Sequence, residues 1–224
     1  MIRRMLIVLA LFISGLLITL PVGADCSLGT TFTVTDQAGL NSAIVAYNGC
    51  TDGGDVVTVT VSGTIALTNI LTLTSINNGN GARLIINGGG TAIIDGDYNA
   101  IFDIVNGHVT LNGLRMLNGS NGGGIGGIIR NNGTLYVNNS TFEGGNSEAG
   151  GGAIGNEATA VITGSTFLNN RGSAIYSRYN NSTPSIIPNL TIINSIFRGN
   201  NTDGNGGAIL NNGGDLDRQR EHLQ

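Results

Sequence analysis

Gly151-Gly152-Ala153-Ile154, followed after a polar stretch by Phe167-Leu168-Asn169-Asn170, decides the fold, because the chain writes the same phrase again. The first half returns as Gly206-Gly207-Ala208-Ile209 and, more loosely, as Gly126-Gly127-Ile128-Ile129 and Gly172-Ser173-Ala174-Ile175. The second half returns as Phe197-Arg198-Gly199-Asn200, and Phe142 followed by Asn146 is a looser copy. Phe142 lies 25 residues before Phe167, Phe167 lies 30 before Phe197, and Met116 stands 26 before Phe142. A period in the twenties that tolerates insertions marks a solenoid, in which each repeat buries its face only against its neighbours.

Composition agrees with that reading. Of 224 residues 37 are glycine, 11% are charged, and there is neither Trp nor Lys, so little of the chain is suited to helix. Gly and Asn adopt positive φ at least cost, which serves a chain built of many tight turns. At 40%, the apolar share separates the chain from a disordered low-complexity one. Short runs such as Val56 to Val61, Thr64 to Leu67, Ile70 to Leu73, Leu84 to Asn87, Ala92 to Asp95, Ile101 to Val105 and Leu190 to Ile193 read as β-strands between turns. Asn77 to Gly81 reads as a loop, and Asn180 to Pro188 as an inserted loop that lengthens the 30-residue step. Residues 51–214 then make about seven coils, which at about 4.8 Å per coil give a rod on the order of 33 Å long. Phe142, Phe167 and Phe197 are expected in one inward column, and Asn170 and Asn200 in a ladder of stacked amides.

The N-terminus carries an address. Arg3 and Arg4 precede an apolar stretch from Met5 to Leu20, then Pro21 and Val22-Gly23-Ala24, the pattern of a secretory signal cut after Ala24. About 16 apolar residues fall short of the roughly 20 that a spanning helix needs, so no stable transmembrane span is expected after cleavage. Residues 25–50 read as a cap: Asp36 is placed to open a helix, with Ala38, Leu40, Ala43, Ile44 and Tyr47 near one face. A short helix of this kind would cover the exposed apolar end of a solenoid. Cys26 and Cys50, the only cysteines, are expected to pair in an exported chain, and that bond would stabilise by roughly 3–4 kcal/mol in the chain-entropy model.

Gly-Gly-Ala-Ile paired with Phe-x-x-Asn resembles the repeats of the chlamydial polymorphic outer membrane proteins. Gly53-Gly54-Asp55-Val56, Ser62-Gly63-Thr64-Ile65 and Ile94-Asp95-Gly96 look like the pectin-lyase-like proteins of bacterial surfaces. The resemblance implies an all-β, right-handed parallel β-helix solenoid with a short N-terminal capping helix. It implies secretion or a place at the cell surface or outer membrane, and an adhesin-like or binding role toward a cell-surface protein or polysaccharide. The alternative is a fragment of a polysaccharide lyase or glycoside hydrolase of the pectin-lyase-like fold.

Chemistry-bearing motifs are sparse. Asn201-Thr202-Asp203-Gly204 resembles a polygalacturonase motif, but a glycosidase needs two carboxylates across the bond, and the sequence shows no Asp-Asp pair. Asp95, Asp97 and Asn99 alternate as in a calcium loop, yet Ala100 and Asn106 stand where an EF-hand has Gly and Glu. Arg115 and Arg130 are the nearest basic candidates for a lyase. Gly122, Gly124 and Gly127 match G-x-G-x-x-G by spacing, with no helix expected to follow. His108 and His222 are the only histidines and form no cluster of metal-ligand spacing. No catalytic residue, cofactor or metal is expected, and no coil offers carboxylates with an arginine on one face. A net charge of −4 without a basic patch argues against nucleic acid.

Residues 215–224 break the style of the chain, since half of the ten are charged. Read one base later, Asp215-Leu216 becomes Thr or Ile, and the segment can be read as Thr-Leu-Thr-Val-Ser-Gly-Asn-Thr-Phe, the repeat phrase itself. The divergent tail is therefore expected to mark a one-base frameshift in a longer solenoid.

Overall fold

The computed structural model describes residues 8–13, 16–21, 29–50, 53–74, 81–180, 186–202, 206–219 and 222–223. β1 (Val8–Ile13) and β2 (Leu16–Pro21) form an antiparallel pair, a sheet of their own. β3 (Thr30–Val34) leads into α1 (Gln37–Asn48), the one helix among the described residues. From there the chain winds through a parallel β-helix of about seven turns. The turns run β4 (Val56–Val61), β5 (Thr64–Ala66), β6 (Leu71–Leu73); β7 (Arg83–Asp95), β8 (Phe102–Ile104); β9 (His108–Leu117), β10 (Ile129–Asn131); β11 (Thr134–Asn138), β12 (Thr141–Glu143), β13 (Ile154–Asn156). They continue with β14 (Thr159–Thr163), β15 (Thr166–Leu168), β16 (Ile175–Arg178); β17 (Asn189–Ile193), β18 (Ile196–Arg198), β19 (Ile209–Asn212); β20 (Asp215–Gln219) and β21 (His222–Leu223).

Every pairing in the coil is parallel, and it sorts the strands onto three faces. The first face runs β3, β4, the first half of β7, the first half of β9, β11, β14, β17 and β20. The second runs β5, the second halves of β7 and β9, β12, β15, β18 and β21. The third runs β6, β8, β10, β13, β16 and β19. Leu84–Asn87 and Ala92–Asp95 thus belong to one strand, with a break in register between Asn87 and Ala92 where the chain turns from first face to second. The period of two explains which way each residue points: Val57 and Val59 are fully buried while Thr58 and Thr60 face out.

The expected phenylalanine column exists. Ile65, Ile94, Met116, Phe142, Phe167 and Phe197 follow one another in register and are all buried. The Phe142 and Phe167 rings stack at 4.9 Å and 4°, and Phe167 and Phe197 at 4.7 Å and 5°. Asn170 and Asn200 form the expected ladder: Asn170 Nδ2 donates to Asn200 Oδ1 at 2.8 Å, and each Nδ2 also donates to the carbonyl of a phenylalanine in the turn before, Phe142 or Phe167. Asn146 is not part of it. Gly145 occupies the ladder position, and its N–H donates to Asn170 Oδ1 at 2.9 Å. A second buried ladder runs inside the third face, where Asn131 Nδ2 donates to Asn156 Oδ1 at 2.8 Å and Asn156 Nδ2 to Ser177 Oγ at 3.2 Å.

The Gly-Gly-Ala-Ile blocks stack directly on one another. Gly151 and Gly152 donate to Gly172 and Ser173 carbonyls at 2.6 Å each, Gly127 N–H donates to the Gly151 carbonyl, and Ile154 N–H to the Ala174 carbonyl. Ala174 and Ile175 in turn donate to Ala208, which places Gly206-Gly207-Ala208-Ile209 in the next copy. Gly151 takes φ +69, and a Cβ there would meet the Ile154 carbonyl oxygen.

α1 opens as the sequence predicts. The Asp36 side chain accepts from Gly39 N–H at 2.8 Å, and Leu40, Ala43, Ile44 and Tyr47 are buried. Ala38 is exposed, a correction to the predicted face. It sits in the first turn of the helix, two residues back from Leu40 and so about 200° around the axis. The helix lies along β6: Thr68 N–H donates to Gln37 Oε1 near its start, and near its end Asn48 Nδ2 donates to the Thr72 carbonyl and Thr74 N–H to Asn48 Oδ1. Tyr47 reaches further, its hydroxyl accepting from His108 N–H at 3.1 Å. Burial pushes the Tyr47 phenol up, partly opposed by that bond. Cys50 is buried and disulfide-bonded. Cys26, the cleavage point after Ala24, residues 75–80, residues 181–185 and Asp203 with Gly204 lie outside the described residues.

The backbone of the tail carries on in register. β20 pairs with β17 and β21 with β18, so Leu216 falls beside Leu190 and packs against the core, while Arg218 stands in register with Ile192.

Candidate functional site: an acid–arginine cluster on the third face

The third face assembles what no linear motif announces. In register, Asp103 on β8 neighbours Arg130 on β10, which neighbours Gly155 on β13 and then Tyr176 on β16. Glu157 follows β13 directly, and Arg178 ends β16. Glu157 is the hub and is only 1% exposed. Its Oε1 accepts from Arg178 Nε at 3.0 Å and Nη2 at 2.9 Å, and its Oε2 from Arg130 Nη2 at 3.3 Å. The Asn132 amide nitrogen, turned toward Oε2, adds a donor at 3.0 Å. The expectation that no face would carry carboxylates with arginine is therefore corrected for the third face.

Both arginines keep their outer edges in solvent, with side chains 40% and 38% exposed. The surroundings of the cluster are filled. The Arg178 guanidinium lies 5.8 Å from the Tyr176 ring centre, and Gly150 backs that ring so closely that a Cβ would come within 2.6 Å of it. Ile125 and Gly126 cover Gly155 in the same way. Asp103 is half-buried, and its Oδ1 has no hydrogen-bond partner. Burial pushes the Asp103 carboxyl above the usual carboxylate range, with Arg130 pulling it back and Glu157 adding to the rise.

That direction gives a test. A carboxyl whose pKa is higher folded than unfolded binds protons better in the native state, so its contribution to stability falls as pH rises through that window. Asp103→Asn should therefore raise the melting temperature at pH 7 and lose that advantage below about pH 3.9, where the parent carboxyl is protonated in both states. A variant no more stable than the parent at pH 7 would remove the assigned burial cost.

The other candidate residues are not brought together. Asp95 is satisfied by local and next-coil donors, its carboxylate accepting from Asp97 N–H at 3.0 Å within its turn and from Asn118 Nδ2 of the next coil at 3.2 and 3.3 Å. Asn99 points its nitrogen, not its oxygen, at the Gly96 and Asp97 carbonyls. Among the described residues no group of three or more His, Cys, Asp or Glu could hold a metal. Arg115 is paired with Glu143 at 2.6 Å on the second face, an exposed ion pair worth about 0–1 kcal/mol. Gly122, Gly124 and Gly127 lead into strand β10, not a helix. His108 opens β9, and the backbone of His222 lies in β21.

The outside of the first face is a different surface. One outward row reads Thr58, Ile85, Thr110, Tyr136, Val161, Thr191, and the next Thr60, Asn87, Asn112, Asn138, Thr163, Ile193. From β4 to β17 neither of these two rows holds a charge, but Asp217 continues the first row on β20, and exposed Arg83 stands in the outward row beside it, in register with Val56 and His108. In the second row, Asn138 Nδ2 donates to Asn112 Oδ1 and Asn112 Nδ2 to Asn87 Oδ1, each at 2.9 Å.

These features define a parallel β-helix with one charged cluster on the third face and a first face whose central rows are mostly Thr, Asn and β-branched residues. No family model matches the chain, and comparison with curated proteins and with solved structures likewise gives no match.

Proposed function

We propose that this chain is an exported, non-catalytic β-helix that serves as a binding scaffold at the cell surface for a surface protein or a polysaccharide. The observation that carries the reading is the state of Glu157. Both of its oxygens are taken by guanidinium groups and the side chain is all but buried, so it is unsuited to donate a proton, accept one or attack a sugar. The same bonds occupy Arg130 and Arg178, the only arginines of the cluster, so neither stands free as a lyase base. Glycoside hydrolysis needs two carboxyls, and Asp103 alone remains. The repeat resemblance supports the adhesin-like side of the reading.

The polysaccharide lyase or hydrolase reading keeps one observation in its favour, the raised pKa of Asp103, which is a property of general acids. One experiment separates the two. Purified protein is incubated with neutral and uronic-acid polysaccharides, with and without calcium, while unsaturated and reducing-end products and retention of the protein are followed. Retention without product is expected. Product that disappears in Asp103→Asn would replace the scaffold with an enzyme.

A further inference from the structure

We propose that the chain cuts its own backbone between Gly172 and Ser173, by attack of the Ser173 hydroxyl on the Gly172 carbonyl followed by hydrolysis of the resulting ester. The inference goes beyond the scaffold reading and does not rest on it, since the reaction acts once on the chain itself and turns over no outside substrate. Ile129, Ile154, Ile175 and Ile209 follow one another in register, so Gly127, Gly152, Ser173 and Gly207 hold one position in successive Gly-rich blocks. Glycine has a steric reason there: a Cβ at Gly127 or Gly152 would clash with backbone carbonyl oxygens. Ser173 carries its Cβ at that position by taking φ +64, in the left-handed region that the three glycines do not use. It follows Gly172 at φ +91 and is only 1% exposed. A left-handed serine persists only where its surroundings hold it, and such strain gathers where chemistry occurs.

The groups for an acyl shift are already assembled. Ser173 Oγ donates to the Gly172 carbonyl oxygen at 2.5 Å, so nucleophile and electrophile are in contact across one peptide unit. The same oxygen accepts from Gly151 N–H at 2.6 Å, and that N–H also reaches Ser173 Oγ at 3.3 Å. A fixed backbone donor on the carbonyl oxygen stabilises the oxyanion of a tetrahedral intermediate, and here the block of the preceding turn supplies it. The leaving nitrogen is weakly held. Ser173 N–H reaches the Asn201 carbonyl at 3.3 Å, and that oxygen already accepts from Gly172 N–H at 2.8 Å.

In the first step Oγ forms a bond to the Gly172 carbonyl carbon, and the π electrons move to the carbonyl oxygen. The hydroxyl proton passes to the Ser173 nitrogen, the C–N bond breaks as the carbonyl re-forms, and the product is an ester with a free α-amine. This step is an isomerisation and needs no co-reactant. It releases Ser173 from the peptide unit that holds φ at +64, so the strain is relieved as the bond breaks. In the second step water adds to the ester and the Ser173 oxygen leaves, giving a Gly172 carboxylate, a restored Ser173 hydroxyl and an α-ammonium group. Gly172 is half-buried and Arg171 before it is exposed, which gives water a path to the ester. The cut chain keeps its shape, because β15 before the cut stays paired with β12 and β18, and β16 after it with β13 and β19.

The test is denaturing electrophoresis and intact-mass measurement of the purified whole chain during prolonged incubation. Two pieces are expected, one ending at Gly172 and one beginning at Ser173, with masses that sum to the parent plus one water and a rate of formation unchanged by dilution. Hydroxylamine should speed the cut and leave a hydroxamate on Gly172, the mark of an ester. Ser173→Ala keeps the Cβ but lacks the nucleophile and should stay intact, whereas Ser173→Cys should still cut. Ser173→Gly restores the repeated residue, and it should stay intact and melt above the parent, as relief of strain at a reactive site does. Unfolding the parent in denaturant should stop the reaction, since it removes the Gly151 donor and releases the strain. A parent that remains in one piece and forms no hydroxamate would overturn the inference. So would a cut at this bond that persists in Ser173→Ala or in denaturant, or that slows on dilution, each of which is the behaviour of a contaminating protease.

Discussion

Phe167→Ala should lower the free energy of unfolding by about 3–5 kcal/mol, the cost of truncating a phenylalanine that the native state buries completely. Phe167 is the middle ring of three, parallel to Phe142 at 4.9 Å and to Phe197 at 4.7 Å, so its loss opens a cavity and removes two stacking contacts at once. The backbone around it cannot collapse into the space. Thr166 and Leu168 are tied in register to the strands on either side, and the chain spacing is set by those bonds. Phe167→Leu keeps most of the volume and should cost less than half as much. Denaturant and thermal melts of both variants are the measurement. An alanine variant that melts with the parent would mean that Phe142, Phe167 and Phe197 do not share one column.

The column was legible because side-chain direction in a strand depends only on parity, and the phrase repeats around it. Thr-Phe at 141–142 and 166–167 and Ile-Phe at 196–197 each place the ring at the same parity, whatever the length of the loops between them. The Asn170–Asn200 ladder was legible for the same reason. Asn146, the asparagine of the looser copy, lies one residue past the ladder position, which three residues after Phe142 is held by Gly145. A carbonyl oxygen of Gly152 sits so close to Gly145 that a Cβ there has no room, so the position takes glycine and contributes only its backbone N–H to Asn170 Oδ1, as Asn170 N–H does to Asn200 Oδ1.

The acid–arginine cluster was hidden by the same loops. Arg130, Glu157 and Arg178 are spaced by 27 and 21 residues, a pattern with no linear regularity. Aligning Ile129, Ile154 and Ile175 as the ends of successive Gly-rich blocks would have recovered it, because Arg130 follows the first, Glu157 stands three beyond the second and Arg178 three beyond the third. The tail shows the complementary limit. Its composition departs from the repeat, yet parallel pairing uses backbone groups that every non-proline residue has, so β20 and β21 extend two faces without help from sequence pattern. In backbone register Arg218 stands in line with Ile192, in a row that holds Val59, Ile86, Leu111, Val137 and Ile162.

Gly152→Ala should destabilise by about 3 kcal/mol or more, although it adds a single methyl group. An alanine Cβ at this position would clash with the Arg171 carbonyl oxygen and lie 2.7 Å from that of Gly145. Both obstacles are backbone, so no side chain can rotate away. Arg171 cannot retreat cheaply either: its N–H donates to the Gly145 carbonyl, and its own carbonyl accepts from Ser147 N–H. Gly152 itself is held by its bond to the Ser173 carbonyl, one of the contacts that stack one Gly-rich block on the next. Relief must come from separating two turns, which breaks several such bonds together and propagates along a stack stabilised only by nearest neighbours. Gly123→Ala is the matched control, because a Cβ at Gly123 meets nothing within 4 Å and the change should fall within about 0.5 kcal/mol of the parent. Melts of the two variants that coincide would show that the repeated glycines mark loose turns, and that the close contact of successive blocks proposed for this fold is wrong.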